Sequence, residues 1–152
     1  MMPESRTLGD LLEELAQRYG EKPALWFDDR VLTFAEWNRM SEDFAKGLHD
    51  LGVRKGDRVA LWMGNRIEWC VVTFAAAKLG AVLVAVNTWY KAEDLRHVLR
   101  HSGAKALVML DRFLKNDYLD ELGKLIPGLM AEAAPPFAEL PDLQHIIVYG
   151  ER

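Results

Sequence analysis

The feature that most constrains the fold is a series of short apolar segments separated by segments of helical periodicity. Four of the apolar segments are predicted strands: 58–63, 81–86, 105–110 and 144–149. Strands without a regular polar face are typical of parallel sheets that helices cover on both sides. We therefore predict an α/β fold with a predominantly parallel sheet flanked by helices, and we expect residues 1–152 to form a single α/β unit.

Helix starts are indicated by capping boxes, in which a short polar residue is followed three positions later by an acidic residue. The boxes are Thr7-x-x-Asp10, Thr33-x-x-Glu36 and Asn65-x-x-Glu68. Glycines 20, 52 and 80 are the expected ends of these helices. Two further helices are predicted over 92–101 and 113–126, and a hairpin over 24–34. The proline-rich stretch 127–141 is predicted to be an irregular connection.

Composition excludes several classes of function. The formal net charge of −4 argues against nucleic acid as a partner, because phosphate binding requires a basic surface. The single cysteine, Cys70, can form neither an internal disulfide nor a four-cysteine zinc site, and we expect it to be buried and inert. Since no secretory signal or membrane-spanning stretch is present, we expect a cytoplasmic protein, with peripheral membrane contact left open.

Contiguous nucleotide-binding motifs are absent from the sequence. It contains neither Gly-x-x-x-x-Gly-Lys-Ser/Thr nor Gly-x-Gly-x-x-Gly, which argues against a free-standing P-loop NTPase and against a standard dinucleotide-binding domain. His97 and His101 share a helix face, but a further strong ligand at a usual spacing is missing. We therefore predict no metal site.

Several conspicuous side chains have a structural interpretation. Glu36 and Glu68 belong to capping boxes, so we assign them to helix starts rather than to acid–base catalysis. Four tryptophans lie in or beside apolar runs and are predicted to be core residues. They are Trp26, Trp37, Trp62 and Trp69.

The candidate ligand contacts are Trp89, Tyr90 and Lys91. They follow a strand predicted to be buried, and loops at the carboxyl ends of strands are where ligands bind in open α/β sheets. The alternative is that these residues form a packed turn at the entrance of the next helix.

Three segments, in this order, resemble the opening part of the adenylate-forming (AMP-binding) ligases, and most of all a fatty-acyl-CoA synthetase. The segments are Leu32–Trp37, Lys55–Leu61 and Ala77–Asn87. The match has departures: Phe34 replaces the usual Tyr, Trp37 the usual Leu and Ala85 the usual Pro. Asn87, where peptide-synthetase adenylation domains tend to have Asp, favours the acyl-CoA synthetase branch.

The resemblance implies the N-terminal part of the large domain of the acyl-CoA synthetase/luciferase-like fold. It implies an enzyme that uses ATP, Mg²⁺ and CoA to activate a carboxylic acid, such as a fatty acid, through an acyl-adenylate. The main ligands of these molecules are expected after residue 152, with no catalytic residue in this chain. We therefore expect the chain alone to be inactive, with the rest of the ligase domain as a partner and a homodimer possible.

One departure concerns the candidate contacts directly. Many acyl-CoA synthetases have Pro and Arg after the Asn, and in some of them this Arg contacts a CoA phosphate. Here the two positions are Thr88 and Trp89, so Lys91 is at best a substitute. Two alternatives remain: a non-catalytic α/β binding module derived from such a ligase, and a fragment of an amino-acid adenylation domain.

Overall fold

A computed structural model describes residues 4–131 and 133–150. The chain divides into two compact units, and each is built from segments that are separate in sequence. Unit 1 comprises Met1–Gly56 and Asn65–Val82, and unit 2 comprises Asp57–Gly64 and Leu83–Arg152. The single α/β unit expected for residues 1–152 stays a prediction. It requires the two compact units to unfold together.

The described part of unit 1, from residue 4 onwards, contains three helices and a hairpin. In chain order these elements are α1 (Leu8–Tyr19), β1 (Pro23–Phe27), β2 (Arg30–Thr33), α2 (Phe34–Asp50) and α3 (Ile67–Leu79). Two predicted caps are confirmed. The side chain of Thr7 accepts a hydrogen bond from the Asp10 amide, and Thr33 and Glu36 form a complete capping box. Local hydrogen bonding therefore starts α1 and α2 as the sequence predicts.

The predicted hairpin is confirmed, with β1 antiparallel to β2. Its inner face carries Leu25 and Leu32, which pack with Ile67 and Val71 of α3. Its outer face carries Trp26, whose side chain is 66% exposed. The prediction that Trp26 belongs to the core is therefore wrong. Successive side chains of a strand point to opposite faces, so Trp26, which follows the inward-facing Leu25, points away from the core.

The third predicted cap is wrong. The residue that precedes α3 is Arg66 rather than Asn65, and no side chain caps the helix. The Glu68 carboxylate instead pairs with Arg30 at 2.8 Å and with Arg66 at 2.6 Å. Since two guanidinium groups occupy this carboxylate, it is not available to complete a capping box.

Unit 2 is built around a four-stranded sheet of order β4-β3-β5-β8, in which β3–β5 and β5–β8 pair in parallel. The elements are β3 (Arg58–Trp62), β4 (Val82–Ala85), α4 (Ala92–Ser102), β5 (Ala106–Leu110), β6 (Arg112–Phe113), β7 (Asn116–Asp117), α5 (Tyr118–Gly123) and β8 (His145–Tyr149). The predicted α/β class, with a predominantly parallel sheet flanked by helices, is confirmed.

Two details of unit 2 differ from the prediction. The expected helix 113–126 is instead the two-stranded hairpin β6–β7 followed by the short helix α5, which begins after Asp117 because that side chain accepts from the Asp120 amide. Strand β4 is at an edge of the sheet rather than buried, and Val82 is 51% exposed.

The described part of the stretch 127–141 consists of turns and bends, with an isolated bridge between Phe137 and Leu140. Leu140 in this stretch and Leu143 just after it are buried. Among the described residues, no helix is both long and apolar enough to cross a bilayer.

Candidate ligand-binding site

The loop after β4 lies beside the carboxyl end of β3. The Val86 amide donates to the Leu61 carbonyl at 3.0 Å, and the Trp62 indole Nε1 donates to the Asn87 carbonyl at 3.0 Å. The candidate contacts Trp89, Tyr90 and Lys91 thus lie at the carboxyl ends of the strands, which is where ligands bind in open α/β sheets.

Asn87 organises the turn that presents the aromatic residues. Its side-chain Oδ1 accepts from the Trp89 amide at 2.9 Å, and its carbonyl accepts from the Tyr90 amide at 3.1 Å. Asn suits such turns because its side chain can bond to the backbone two residues later. The Trp89 side chain is left 65% exposed, and Tyr90 is half-buried.

A second set of contacts fixes the Thr88 carbonyl, which accepts from Asn116 Nδ2 at 3.2 Å and from the Tyr118 hydroxyl at 3.0 Å. The Tyr118 ring also stacks on Trp62, with a centroid distance of 3.7 Å. Burial raises the pKa of Tyr118 to about 12, so its hydroxyl remains a hydrogen-bond donor at neutral pH. The loop is therefore held from two sides by buried groups.

Lys91 is bound by two buried polar side chains. Its ammonium Nζ donates to Asn116 Oδ1 at 2.6 Å and lies 3.4 Å from Glu121 Oε1. The other carboxylate oxygen of Glu121 accepts from the Ala92 amide at 3.0 Å. Burial raises the pKa of Glu121, but hydrogen bonds from Lys124, Ala92 and Lys91 outweigh it, so the pKa lies below its ordinary value. Glu121 is consequently ionised at neutral pH.

The hairpin 112–116 adds two cations that the sequence interpretation missed. Arg112 and Lys115 line a pocket of about 160 Å³ together with Leu114, Asn116 and Asp117. Within residues 4–131 and 133–150, neither cation pairs with a carboxylate. They were missed because this segment was predicted to be helical. Two basic residues directly after a strand end are the signal that could have revealed them.

Other residues that drew attention in the sequence lie away from this loop. His97 and His101 stack on the exposed face of α4 at a centroid distance of 5.7 Å. In the described part of the chain, no group of three or more His, Cys, Asp or Glu is placed to hold a metal ion. Cys70 is half-buried in unit 1, and burial raises the pKa of its thiol.

The chain can be compared with known proteins on this basis. Residues 12–146 match the family described as AMP-binding enzyme. The chain belongs to this family. The resemblance of its three opening segments to adenylate-forming ligases is therefore confirmed, and the sheet and loop described above are elements of an AMP-binding enzyme fold.

Individual relatives of the chain are consistent with this family membership. The chain is 44% identical over 151 residues to YngI of Bacillus subtilis (strain 168), covering 96% of this chain and 27% of that protein. It is 38% identical over 149 residues to the human mitochondrial medium-chain acyl-CoA ligase ACSF2, covering 94% of this chain and 24% of the ligase. The crystal structure of the anthranilate CoA ligase AuaEII with anthranoyl-AMP matches with a TM-score of 0.80 and 28% identity, covering 97% of this chain and 26% of that one. The chain thus spans about a quarter of the length of the relatives it matches.

Proposed function

We propose that this chain is part of an ATP-dependent acyl-CoA synthetase. In the proposed reaction, a carboxylate attacks the α-phosphate of Mg²⁺-bound ATP to give an acyl-adenylate and pyrophosphate. The thiol of CoA then displaces AMP and forms the thioester. Membership of the AMP-binding family and the acyl-CoA ligase ACSF2 among its relatives support this reaction, and a fatty acid is the favoured substrate class.

Within that enzyme, we assign this chain to the CoA side of the reaction. The observation that carries the assignment is the pairing of the loop 87–91 with the hairpin 112–116 through Asn116. The paired loops present an exposed tryptophan, Trp89, and three cations, Lys91, Arg112 and Lys115. This is the chemistry that a CoA nucleotide requires, since its phosphates are anionic and its adenine is planar.

The aromatic and cationic groups have distinct proposed roles. Trp89, with Tyr90 beside it, offers a flat surface for adenine, and stacking of a base on an aromatic side chain is worth about 1–3 kcal/mol. Arg112 and Lys115 offer charge-assisted hydrogen bonds to phosphate oxygens. They take the place of the arginine that many relatives of this branch have where this chain has Trp89. Because buried groups already hold the loop, little ordering is required on binding.

CoA and 3′-dephospho-CoA distinguish these roles, because they differ by one phosphate group. We expect the chain to bind CoA about tenfold more tightly, measured by titration calorimetry at low salt, since a charge-assisted hydrogen bond contributes about 1.5–3 kcal/mol. Arg112→Met and Lys115→Met are expected to reduce this difference. Lys46→Met, which removes an exposed lysine of unit 1, serves as the matched control. Equal affinity for the two ligands would contradict the assignment.

Adenylation itself is proposed to depend on parts of the ligase other than this chain. The chain contains no glycine-rich phosphate-binding motif of the P-loop type, and no catalytic residue is assigned to it. We expect the purified chain to give no ATP–pyrophosphate exchange with fatty acids. An exchange signal above that of a blank preparation would refute this division of roles.

The outer face of the β1–β2 hairpin supports a proposal about partners. Trp26 and its pairing partner Val31 are both exposed there, and an apolar face of this kind is typical of a surface that protein covers. We propose that the remainder of the ligase polypeptide covers it. If a second copy of the chain covers this face instead, sedimentation will show a doubled mass. If a membrane surface covers it, the chain will float with lipid vesicles.

A cytoplasmic location is also proposed. Its support is the single cysteine, because a protein of an oxidising compartment would be expected to contain paired cysteines. Fractionation of cells that express the tagged protein tests the proposal, and recovery with an organelle would contradict it.

A further inference from the structure

Lys91 differs from the other two cations of the candidate site in how it is held. Asn116 and Glu121 are only 7% and 8% exposed, and both bind the Lys91 ammonium. Buried polar side chains are uncommon, and each needs its hydrogen bonds satisfied. An exposed lysine is usually present only to keep a protein soluble. That role does not explain why two buried side chains bind the ammonium of Lys91.

The geometry leaves part of the ammonium available. A lysine ammonium has three donors, and here two acceptors lie near it, Asn116 Oδ1 at 2.6 Å and Glu121 Oε1 at 3.4 Å. The Lys91 side chain remains 55% exposed. A third donor is therefore available to a ligand from solvent, while the position of Nζ is set from within the protein.

The two acceptors are themselves fixed. Asn116 also donates to the Thr88 carbonyl, so one side chain joins the hairpin to the loop that carries Lys91. Glu121 accepts from the Ala92 amide and pairs with Lys124 at 3.1 Å. Neither can change its position without breaking a second contact, which makes the pair a rigid support for Nζ.

We propose that Asn116 and Glu121 are positioning residues of the CoA site, which hold the Lys91 ammonium so that its remaining donor meets a phosphate. This inference rests on the proposed function. It adds that the affinity for phosphate depends on two buried residues that do not touch the ligand.

Glu121 distinguishes positioning from simple charge balance, because the two explanations predict opposite signs. If Glu121 only placed a negative charge near the site, Glu121→Gln would strengthen anion binding by removing a repulsion. If Glu121 positions Lys91, the same substitution weakens binding, because the flexible lysine side chain then loses its fixed geometry. The substitution preserves the shape of the side chain and keeps an oxygen that can accept from Ala92.

The experiment measures binding of adenosine 3′,5′-bisphosphate and of adenosine to the complete chain and its variants. The variants are Lys91→Met, Asn116→Leu and Glu121→Gln, with Glu93→Gln as the control for loss of a paired but exposed carboxylate. We expect each of the first three to weaken the bisphosphate about tenfold, as the loss of one charge-assisted hydrogen bond does. Affinity for adenosine should stay the same, whereas a collapsed loop would reduce both.

The possible results separate the two levels of the proposal. Bisphosphate affinity that is unchanged or higher in Glu121→Gln overturns the positioning role and leaves the CoA site standing. An unchanged affinity in Lys91→Met overturns the positioning role as well. If the unaltered chain binds neither ligand, the proposed CoA site fails and the positioning role fails with it. Should Asn116→Leu not fold, Glu121→Gln and Lys91→Met still decide the outcome.

Discussion

Trp62 illustrates how one residue connects the core of unit 2 to the candidate site. Its side chain is fully buried, and its ring stacks on Tyr118. Its indole N–H is satisfied by the carbonyl of Asn87, the residue that organises the turn before Trp89. Because a buried indole nitrogen needs an acceptor, the packing of this ring also determines where the loop lies.

Gly64 lies where the structure leaves no room for even one side-chain carbon. It is buried two residues after the end of β3, and a Cβ atom there would lie 2.1 Å from Phe113 Cε2. We expect Gly64→Ala to lower the free energy of unfolding by about 1–3 kcal/mol, because the Phe113 ring must move. Urea denaturation measures the change. Gly123→Ala, whose Cβ meets nothing within 4 Å, is the control, and equal losses in the two variants would contradict the prediction.

Glu68 makes acid stability testable. Burial raises its pKa, but hydrogen bonds from Arg66 and Arg30 outweigh burial and bring the pKa to about 2, from the ordinary 4.5. Because the pKa is lower in the folded state, the stabilisation is present above pH 4.5 and is lost as the pH falls towards 2. We expect Glu68→Gln to be less stable than the unaltered chain at pH 7, with the difference shrinking over that window. Urea midpoints from pH 7 to pH 2 measure this, and a constant difference would refute it.

At the scale of elements, helix starts were predictable where the capping contact is local. Thr33 and Glu36 are three residues apart, and the side chain of each accepts from the backbone amide of the other, so the sequence suffices to place the start of α2. The start of α3 was misplaced because Glu68 pairs with Arg30, which lies 38 residues earlier. A competing partner at that distance cannot be identified from a local motif.

Two helical glycines give opposite predictions for the same substitution. Gly47 is an exposed residue of α2, and a Cβ there meets nothing within 4 Å. We expect Gly47→Ala to stabilise the chain by about 0.5–1 kcal/mol through helix propensity. A Cβ on Gly9 of α1 would lie 3.0 Å from the Lys78 Cα atom of α3, so Gly9→Ala should destabilise it. Thermal unfolding measures both shifts, and shifts of the same sign would contradict this interpretation.

At the scale of the whole molecule, the two units are linked because the chain passes between them three times. The chain passes from unit 1 to unit 2 after Gly56, returns after Gly64 and leaves again after Val82. Strand β3 of unit 2 therefore lies between two segments of unit 1. A chain that crosses this often cannot easily unfold one unit while the other keeps its connections.

We therefore expect one cooperative unfolding transition, as the prediction of a single α/β unit requires. Hydrogen exchange can follow both units at once, with the amides of Leu48 in α2 and Val108 in β5 as probes, since both residues are buried. Their free energies of opening should converge as urea is added. Transitions at clearly different urea concentrations would show that the units unfold separately.

The class of fold and the place of the candidate loop could be predicted, but the candidate site could be predicted only in part. Trp89, Tyr90 and Lys91 were found because a loop after an apolar strand is recognisable in sequence. Asn116 and Glu121 were not, because the expected helix 113–126 gave no reason to bring them near Lys91. The contacts of this loop with the hairpin and α5 join residues 25 to 30 positions apart.

The sequence by itself determined the features that depend on near neighbours: strand and helix periods, two capping boxes and the left-handed glycine that ends α3. These are governed by backbone geometry within a few residues. Only the tertiary structure decided the partners of Glu68, the exposure of Trp26 and the support of Lys91. Such contacts depend on which segments meet in space, and this is determined by the packing of the whole chain, because a side chain bonds to whichever partner the fold brings within reach.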